Sequence, residues 1–186
     1  MRRVTCSLGV SLDGYIAGPD GSFAWSEPDE DIFRFATEEV RGLGVHLLGR
    51  RLYETMSYWE TVDQASLSDL EREFAVLWTS LPKVVFSTTL TAVMGGYQLA
   101  AGGLAEEIER WRTRPGEGDV GIGGATLIAE ASALDLVDEY RLRVHPVLVG
   151  GGTPFFPRAE RRADLDLVGS RTFDSGVVHL RYRVRH

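Results

Sequence analysis

The residues best able to do chemistry in this chain lie in three glycine clusters, each following an apolar, strand-like run. In Leu47-Leu48-Gly49-Arg50-Arg51-Leu52 such a run enters a glycine, then two guanidinium groups, then a helix-forming stretch. The first backbone N–H groups of a helix lack intrahelical partners and favour an anion, and arginine adds forked, charged hydrogen bonds, so the pattern fits a phosphate. In Gly121-Ile122-Gly123-Gly124-Ala125-Thr126 another strand end opens a helix, paired glycines let a ligand approach the backbone, and Thr126 offers a hydroxyl. It departs from the G-x-G-x-x-G dinucleotide fingerprint, because the sixth position is Thr126, and no Gly-Lys-Ser/Thr is present to make a P-loop. The third cluster, Val149-Gly150-Gly151-Gly152-Thr153-Pro154-Phe155-Phe156, reads as a mobile or tightly curved loop with both phenylalanines anchored in the core. Taken singly, each cluster is also readable as a tight connection and nothing more.

Other chemistry-bearing residues are sparser. Asp13 stands in the turn Ser11-Leu12-Asp13-Gly14 and can hold that turn. Asp29, Glu30 and Asp31 open a helical stretch, where negative charge complements the helix dipole. His46, His145, His179 and His186 are scattered without metal-ligand spacing, and His145, ahead of Pro146, reads as structural. Cys6, the only cysteine, lies in the alternating run Val4-Thr5-Cys6-Ser7-Leu8 and reads as a buried, inert thiol. No G-x-S-x-G occurs, which removes the α/β-hydrolase elbow.

The elements that must position these residues follow from periodicity. Strands are expected at 4–10, 45–48, 83–87, 119–122 and 137–149. Helices are expected at 28–41, 52–59, 68–80, 104–112 and 125–132. Ser68 and Glu71 form a capping-box signature, Pro82 ends that helix, and Gly42 and Gly44 end the first. Runs 165–173 and 177–184 read as a hairpin around Asp174-Ser175-Gly176. Strands alternating with helices over the first 135 residues imply an α/β sheet with crossovers, and the all-β ending adds antiparallel strands at one edge.

Composition bounds the rest. The chain has 186 residues, 44% hydrophobic and 25% charged, which fits one domain spanning 1–186 with a sizeable core. Its 27 acidic against 20 basic residues give a formal charge of −7, which speaks against a general nucleic-acid binder. The N-terminus lacks the apolar run of a signal peptide and no 18-residue apolar stretch exists, so no membrane role and a cytoplasmic location are expected.

Five runs together, SLDGYIAGPDGSFAW, LLGRRLYET, VFSTTL, GIGGATLIAEA and DLVDEYRLRVHPVLVGGGTPFF, resemble the dihydrofolate-reductase-like family over residues 3–184. The similarity is to the branch of the riboflavin-biosynthesis reductase domain, that is, RibD C-terminal-domain-like small reductases. The resemblance implies a three-layer α/β/α fold with a mixed, mainly parallel sheet of about eight strands. It also implies NADPH, with NADH as the alternative cofactor, and hydride transfer to a small pteridine- or pyrimidine-like heterocycle. A cofactor-binding protein without turnover is the rival expectation. By resemblance, Gly49, Arg50, Arg51 and Leu52 hold cofactor phosphates and the adenosine side, and Ser87 and Thr88 lie by the ribose phosphate. Ile122, Gly123, Gly124, Ala125 and Thr126 lie under the pyrophosphate and nicotinamide, with Leu8, Gly9, Ile16 and Ala17 beside the nicotinamide. Residues 17–25 match a loop over the active site, with Trp25 near its end facing the substrate. Thr88 stands where many relatives carry Arg, and Leu52 where a Thr hydroxyl is common. Asp31 is the expected proton donor, one turn before the substrate-facing Phe35 on the same helical face. No metal is expected, a homodimer through the C-terminal strands is, and the zinc signature of the riboflavin-pathway deaminase cannot be made from one cysteine.

Overall fold

A computed structural model describes residues 1–156 and 162–185; His186 lies outside them. The strands are β1 (Val4–Ser11), β2 (Tyr15–Ala17), β3 (Leu43–Gly49), β4 (Lys83–Phe86), β5 (Tyr97–Leu99), β6 (Asp119–Gly123), β7 (Glu139–His145), β8 (Thr153–Pro154), β9 (Leu165–Thr172) and β10 (Val178–Val184). The helices are α1 (Glu30–Arg41), α2 (Arg50–Met56), α3 (Tyr58–Thr61), α4 (Asp69–Ser80), α5 (Leu104–Thr113) and α6 (Ala125–Ala133). Eight strands form one sheet in the order β5-β4-β3-β6-β1-β7-β10-β9, and β2 pairs with β8 in a separate ribbon. The pairs from β5 to β7 are parallel, and β10 joins β7 and β9 antiparallel, so the sheet is mixed and mainly parallel as expected.

The strands alternate strictly, and the two faces of the sheet differ. Val4, Cys6, Val45, Leu47, Val120 and Ile122 turn one way and pack, wholly buried, against Leu104 and Ile108 of α5 and Leu127 and Ile128 of α6. Burial pushes the Cys6 thiol far up, which keeps it protonated and inert. The intervening residues, Thr5, Ser7, His46, Gly121, Arg141, Arg143 and His179, turn towards α1, α2 and α4. Farther along that side Leu48 and Val85 pack with Tyr53 of α2 and with Phe74 and Trp78 of α4.

Helix α1 starts at Asp29, whose carboxylate accepts from the Ile32 N–H at 2.8 Å, and ends at Gly42. Helix α4 carries the Ser68–Glu71 capping box read from the sequence. The expected helix 52–59 starts two residues earlier and divides into α2 and α3 at Ser57. Strand β7 stops at His145 rather than Val149, because Pro146 brings no N–H to a ladder and Leu148 is 70% exposed. Strands β2, β5 and β8, two or three residues each, are too short to leave a period in the sequence. Phe155 is fully buried as expected, whereas Phe156 is 46% exposed, so only one of the two anchors the loop in the core.

Lys83, the chain's single lysine, has a fully buried side chain. Its ammonium group donates to the Trp78 carbonyl, lies 3.1 Å from the Glu60 carboxylate and sits 4.8 Å above the Tyr97 ring. These partners replace the water that burial removes.

Candidate functional site

The parallel strands β3 and β6 end together, while β1 runs on beside β7 to Ser11. Leu48 pairs with Gly123, so the turns into α2 and α6 lie side by side. Gly124 caps α6 at φ +101°, a conformation that a side chain would strain, and a Cβ there would stand 3.7 Å from the Gly49 nitrogen. A Cβ on Gly123 would come within 2.3 Å of a Leu52 methyl and 3.1 Å of His46 Nε2. Neither Gly49 nor Gly124 offers a side chain to cap its helix, which leaves backbone N–H groups at the α6 start without a side-chain partner.

The charged and polar side chains around this cleft are unequally committed. Arg50 pairs with Glu54 at 2.7 Å and donates to the Thr89 hydroxyl at 2.8 Å, whereas Arg51 has no ion-pair partner among the described residues. The Ser87 hydroxyl accepts from the Thr89 and Leu90 N–H groups and so shapes the turn after β4, while Thr88 is exposed. Ala125 is half-buried and Thr126 exposed on the first turn of α6, and Ile122 is buried beneath.

A second wall is built from two loops tied together. Asp13 accepts from the Ser11 hydroxyl, the Val149 N–H and the Gly150 N–H, the last at 2.7 Å, so it holds more than its own turn. Those hydrogen bonds keep its carboxyl below the usual carboxylate range, with the Ser11 hydroxyl contributing most. Tyr15 and Ala17 pair with Pro154 and Thr153, and a Cβ on Gly152, at φ +114°, would strike the Ala17 carbonyl at 2.1 Å. Ile16 packs against the core, and Leu8 and Gly9 carry β1 towards the cleft.

Trp25 meets the His145 ring edge-on at 5.5 Å, and its indole N–H is buried without a hydrogen-bond partner among the described residues. His145 is 5% exposed at the end of β7, and a Cβ on Gly9 would stand 3.2 Å from its Nε2. Burial first, and Arg143 second, lower the His145 pKa, while the Asp29 carboxylate opposes them. Asp31, on the first turn of α1, is exposed, while Phe35 stacks edge-on against Phe173 and His179 of the C-terminal hairpin, so the two residues occupy different surroundings.

Between α1 and the sheet lies a cavity of about 190 Å³. Its polar lining includes Ser7, Glu39, His46, Arg141 and Arg143. Glu39 accepts from Arg143 at 2.6 Å and from the Ser7 hydroxyl at 2.9 Å through one oxygen. Its other oxygen, 3.5 Å from His179 Nε2, makes no hydrogen bond among the described residues, and neither does His46 Nδ1. Burial alone would raise the Glu39 carboxyl, but His179, Arg143 and Ser7 outweigh it and hold the group ionised below its usual range. Burial, with the nearby Lys83 charge, pushes the His46 pKa down to about 4, so its imidazole is neutral at pH 7. Arg141 is committed to Glu139 and Asp119.

Sequence reasoning missed Glu39, Arg143, His145 and His179 as site neighbours. The available signal was the two-residue polar period Glu139, Arg141, Arg143, His145 alternating with Tyr140, Leu142 and Val144, matched by His179, Arg181, Arg183 on β10. Among the described residues no cluster of three or more His, Cys, Asp or Glu is placed to hold a metal, and no helix is long and apolar enough to cross a membrane.

Comparison with known proteins places this architecture. The family model of the RibD C-terminal domain matches residues 2–179. The uncharacterized protein YyaP of Bacillus subtilis (strain 168) is 34% identical over 181 residues, 97% of this chain and 94% of its own. YwjB of the same organism is 25% identical over 177 residues, 95% of each chain. Among solved structures, a putative riboflavin biosynthesis protein from Shewanella sp. PV-4 superimposes with a TM-score of 0.76 at 22% identity, covering all of both chains. Acinetobacter baumannii RibD matches with a TM-score of 0.74 at 20% identity, covering all of this chain and 58% of its own, and speaks to the shared fold.

Proposed function

The chain belongs to the RibD C-terminal domain family, and on that premise we propose that it is an NADPH-dependent reductase acting on a small heterocycle. One observation carries the reading: the β3–α2 and β6–α6 turns meet at the carboxyl ends of adjacent parallel strands, with glycine at 49, 123 and 124. Ligands of open α/β sheets bind at such strand ends, where backbone N–H groups face outward. The bound cofactor would supply the hydride; the protein positions it and the substrate.

The chain's own residues then divide the work. Gly124 leaves room for close approach to the backbone at the start of α6, while Gly123 makes room for Leu52 and His46 beneath it. Arg51, with no ion-pair partner among the described residues, and Arg50, once released from Glu54, neutralise phosphate charge. Leu52, Ser87, Thr88, Ile122, Ala125 and Thr126 complete that side. The Asp13 tie fixes the 149–152 loop against Ile16 and Ala17, beside Leu8 and Gly9. Proton delivery is assigned to Asp31 at the start of α1, while His145, buried beside Gly9 and Trp25 with its pKa lowered, acts as a positioning group. The exposed edge strand β9, with Leu167 56% exposed, is where a second copy would add. Elution at twice the monomer mass in gel filtration is the result expected of that pairing, and elution at about 20 kDa would refute it.

Fluorescence titration with NADPH tests the reading. Binding in the micromolar range is expected, weakened at least tenfold in the Arg50→Ala/Arg51→Ala double variant. No binding of NADPH or NADH below millimolar concentration would sink the cofactor assignment. Binding without oxidation, across pterins, aminopyrimidines, flavins and quinones, would instead favour the binding-only protein.

A further inference from the structure

Helix α2 carries its charges against its own dipole. Acidic groups in the first turn and basic groups in the last stabilise a helix, and α2 has neither. Instead Arg50 and Arg51 open it, and Glu54 stands in its last turn. The Arg50–Glu54 pair also runs in the less favourable direction, with the base one helical turn ahead of the acid. Helix stability does not account for this placement; the neighbouring strand ends offer another reason.

Gly49 pairs with Phe86, so the turn into α2 lies beside the turn that follows β4. Arg50 bridges the two: its Nε donates to Glu54 Oε1 at 2.7 Å and its Nη1 to the Thr89 hydroxyl at 2.8 Å, while Nη2 makes no hydrogen bond among the described residues. Thr89 is held in turn by Ser87, whose hydroxyl accepts from the Thr89 and Leu90 N–H groups. The two side chains of the ion pair are 49% and 48% exposed. A pair so exposed is weak and exchanges its partners readily. Arg50 is therefore a cation with a resident counter-ion, able to hold an incoming phosphate and neutralised when none is there.

A carboxylate carries a single negative charge, whereas a phosphate monoester carries about −1.5 to −2 at pH 7 with three acceptor oxygens. The monoester displaces Glu54 from the guanidinium, but part of its binding energy goes into separating the pair. A ligand without that phosphate loses nothing, because Glu54 keeps the cation satisfied. We propose that Glu54 is a specificity-determining residue: as the counter-ion of Arg50, it narrows the difference in affinity between ligands that carry a phosphate monoester and otherwise identical ligands that lack it. The inference rests on the reductase reading in so far as the monoester is the one that distinguishes NADPH from NADH; a phosphate on the substrate offers the same chemistry.

Calorimetry tests this by measuring dissociation constants for NADPH, NADH and ribose 5-phosphate, the last in saturating NADH. The proteins are wild type, Glu54→Gln, Glu54→Ala, Arg50→Ala and the Arg50→Ala/Glu54→Gln double variant. Glu109→Gln, an equal change of charge at an exposed position on α5, is the control. Removing the Glu54 charge is expected to tighten NADPH roughly fivefold, the most that so exposed a pair can withhold, and to change NADH by less than about twofold. The gain should vanish when Arg50 is also replaced. A gain for ribose 5-phosphate in place of NADPH supports the proposal too, with the monoester on the substrate. Equal effects on NADPH and NADH without a gain for ribose 5-phosphate overturn it, as do weaker NADPH binding, a gain that persists without Arg50, or the same gain in Glu109→Gln. Failure of both dinucleotides to bind removes the cofactor assignment instead. Ribose 5-phosphate, titrated alone, then decides the role of Glu54: a gain that needs Arg50 supports it, and no gain overturns it.

Discussion

The two faces of the central sheet are built from the same strands and solve opposite problems. Towards α5 and α6, Val4, Cys6, Val45, Leu47, Val120 and Ile122 make an apolar layer, in which the Trp111 indole N–H of α5 has no hydrogen-bond partner among the described residues. Towards α1, the next residue in each of those strands is Thr5, Ser7, His46 or Gly121, joined by Arg141, Arg143 and His179 from the neighbouring strands. The dry face gains stability from area removed from water. The polar face adds little net stability and holds its charges in fixed positions, which is what recognition of a small molecule needs. The glycines belong to the second face too: at 121 and 123 they replace side chains that would meet Leu43, His46 or Leu52.

This contrast can be broken by experiment. The largest effect is expected on the polar face: Arg143→Met leaves Glu39 ionised and uncompensated, which costs roughly 3–5 kcal/mol in urea unfolding. Adding Glu39→Gln to that variant should recover most of the loss; no recovery would show that Arg143 acts through packing alone. On the dry face, Leu47→Ala should cost about 2–5 kcal/mol through a cavity and leave ligand affinity per folded molecule unchanged. A change of affinity would mean that the faces are not independent.

Acid should act first on the polar face. The folded-state pKa of His46 is lowered from 6.5 to about 4, so the unfolded chain binds the proton first. Stability is then fully present above pH 6.5 and is lost as pH falls towards 4, by roughly 3 kcal/mol. Unfolding midpoints measured between pH 7 and 4 should show this slope, and His46→Leu should reduce it to the share that His145, also lowered by burial, contributes. Glu39, held below its usual value, contributes only at lower pH, where its protonation removes a further share. The smallest effect is expected far from the contrast: Ser68→Ala breaks the α4 capping box and costs about 1 kcal/mol, with NADPH binding unaltered.

The elements were legible in the sequence where a period or a cap lasts long enough. Ser68 with Glu71, the alternation at 4–10 and the turn at Asp174-Ser175-Gly176 each predict what the structure contains. The strand ends carrying Gly49 and Gly123 could be placed as well, because glycine after an apolar run has few other uses. What could not be read is which distant residues meet. Glu39 and Arg143 are 104 positions apart, and Asp13 reaches Val149 and Gly150 across 136 and 137. Nothing local announces such pairs, since an acidic residue late in a helix reads as a solvated one. His145 looked structural because Pro146 follows it; that proline ends the strand and leaves the imidazole at the strand end beside Gly9.

The sealed lysine gives the protein a built-in clock. Because Lys83 is the only lysine and its side chain is fully covered, an amine-reactive reagent meets no accessible side-chain amine on the folded molecule. Its ammonium is released only when β4 and α4 part from each other, so the rate at which mass spectrometry finds Lys83 acylated counts opening events of that packing. Any ligand that binds the native cleft should slow this clock in proportion to its occupancy, turning a single buried amine into a gauge of binding.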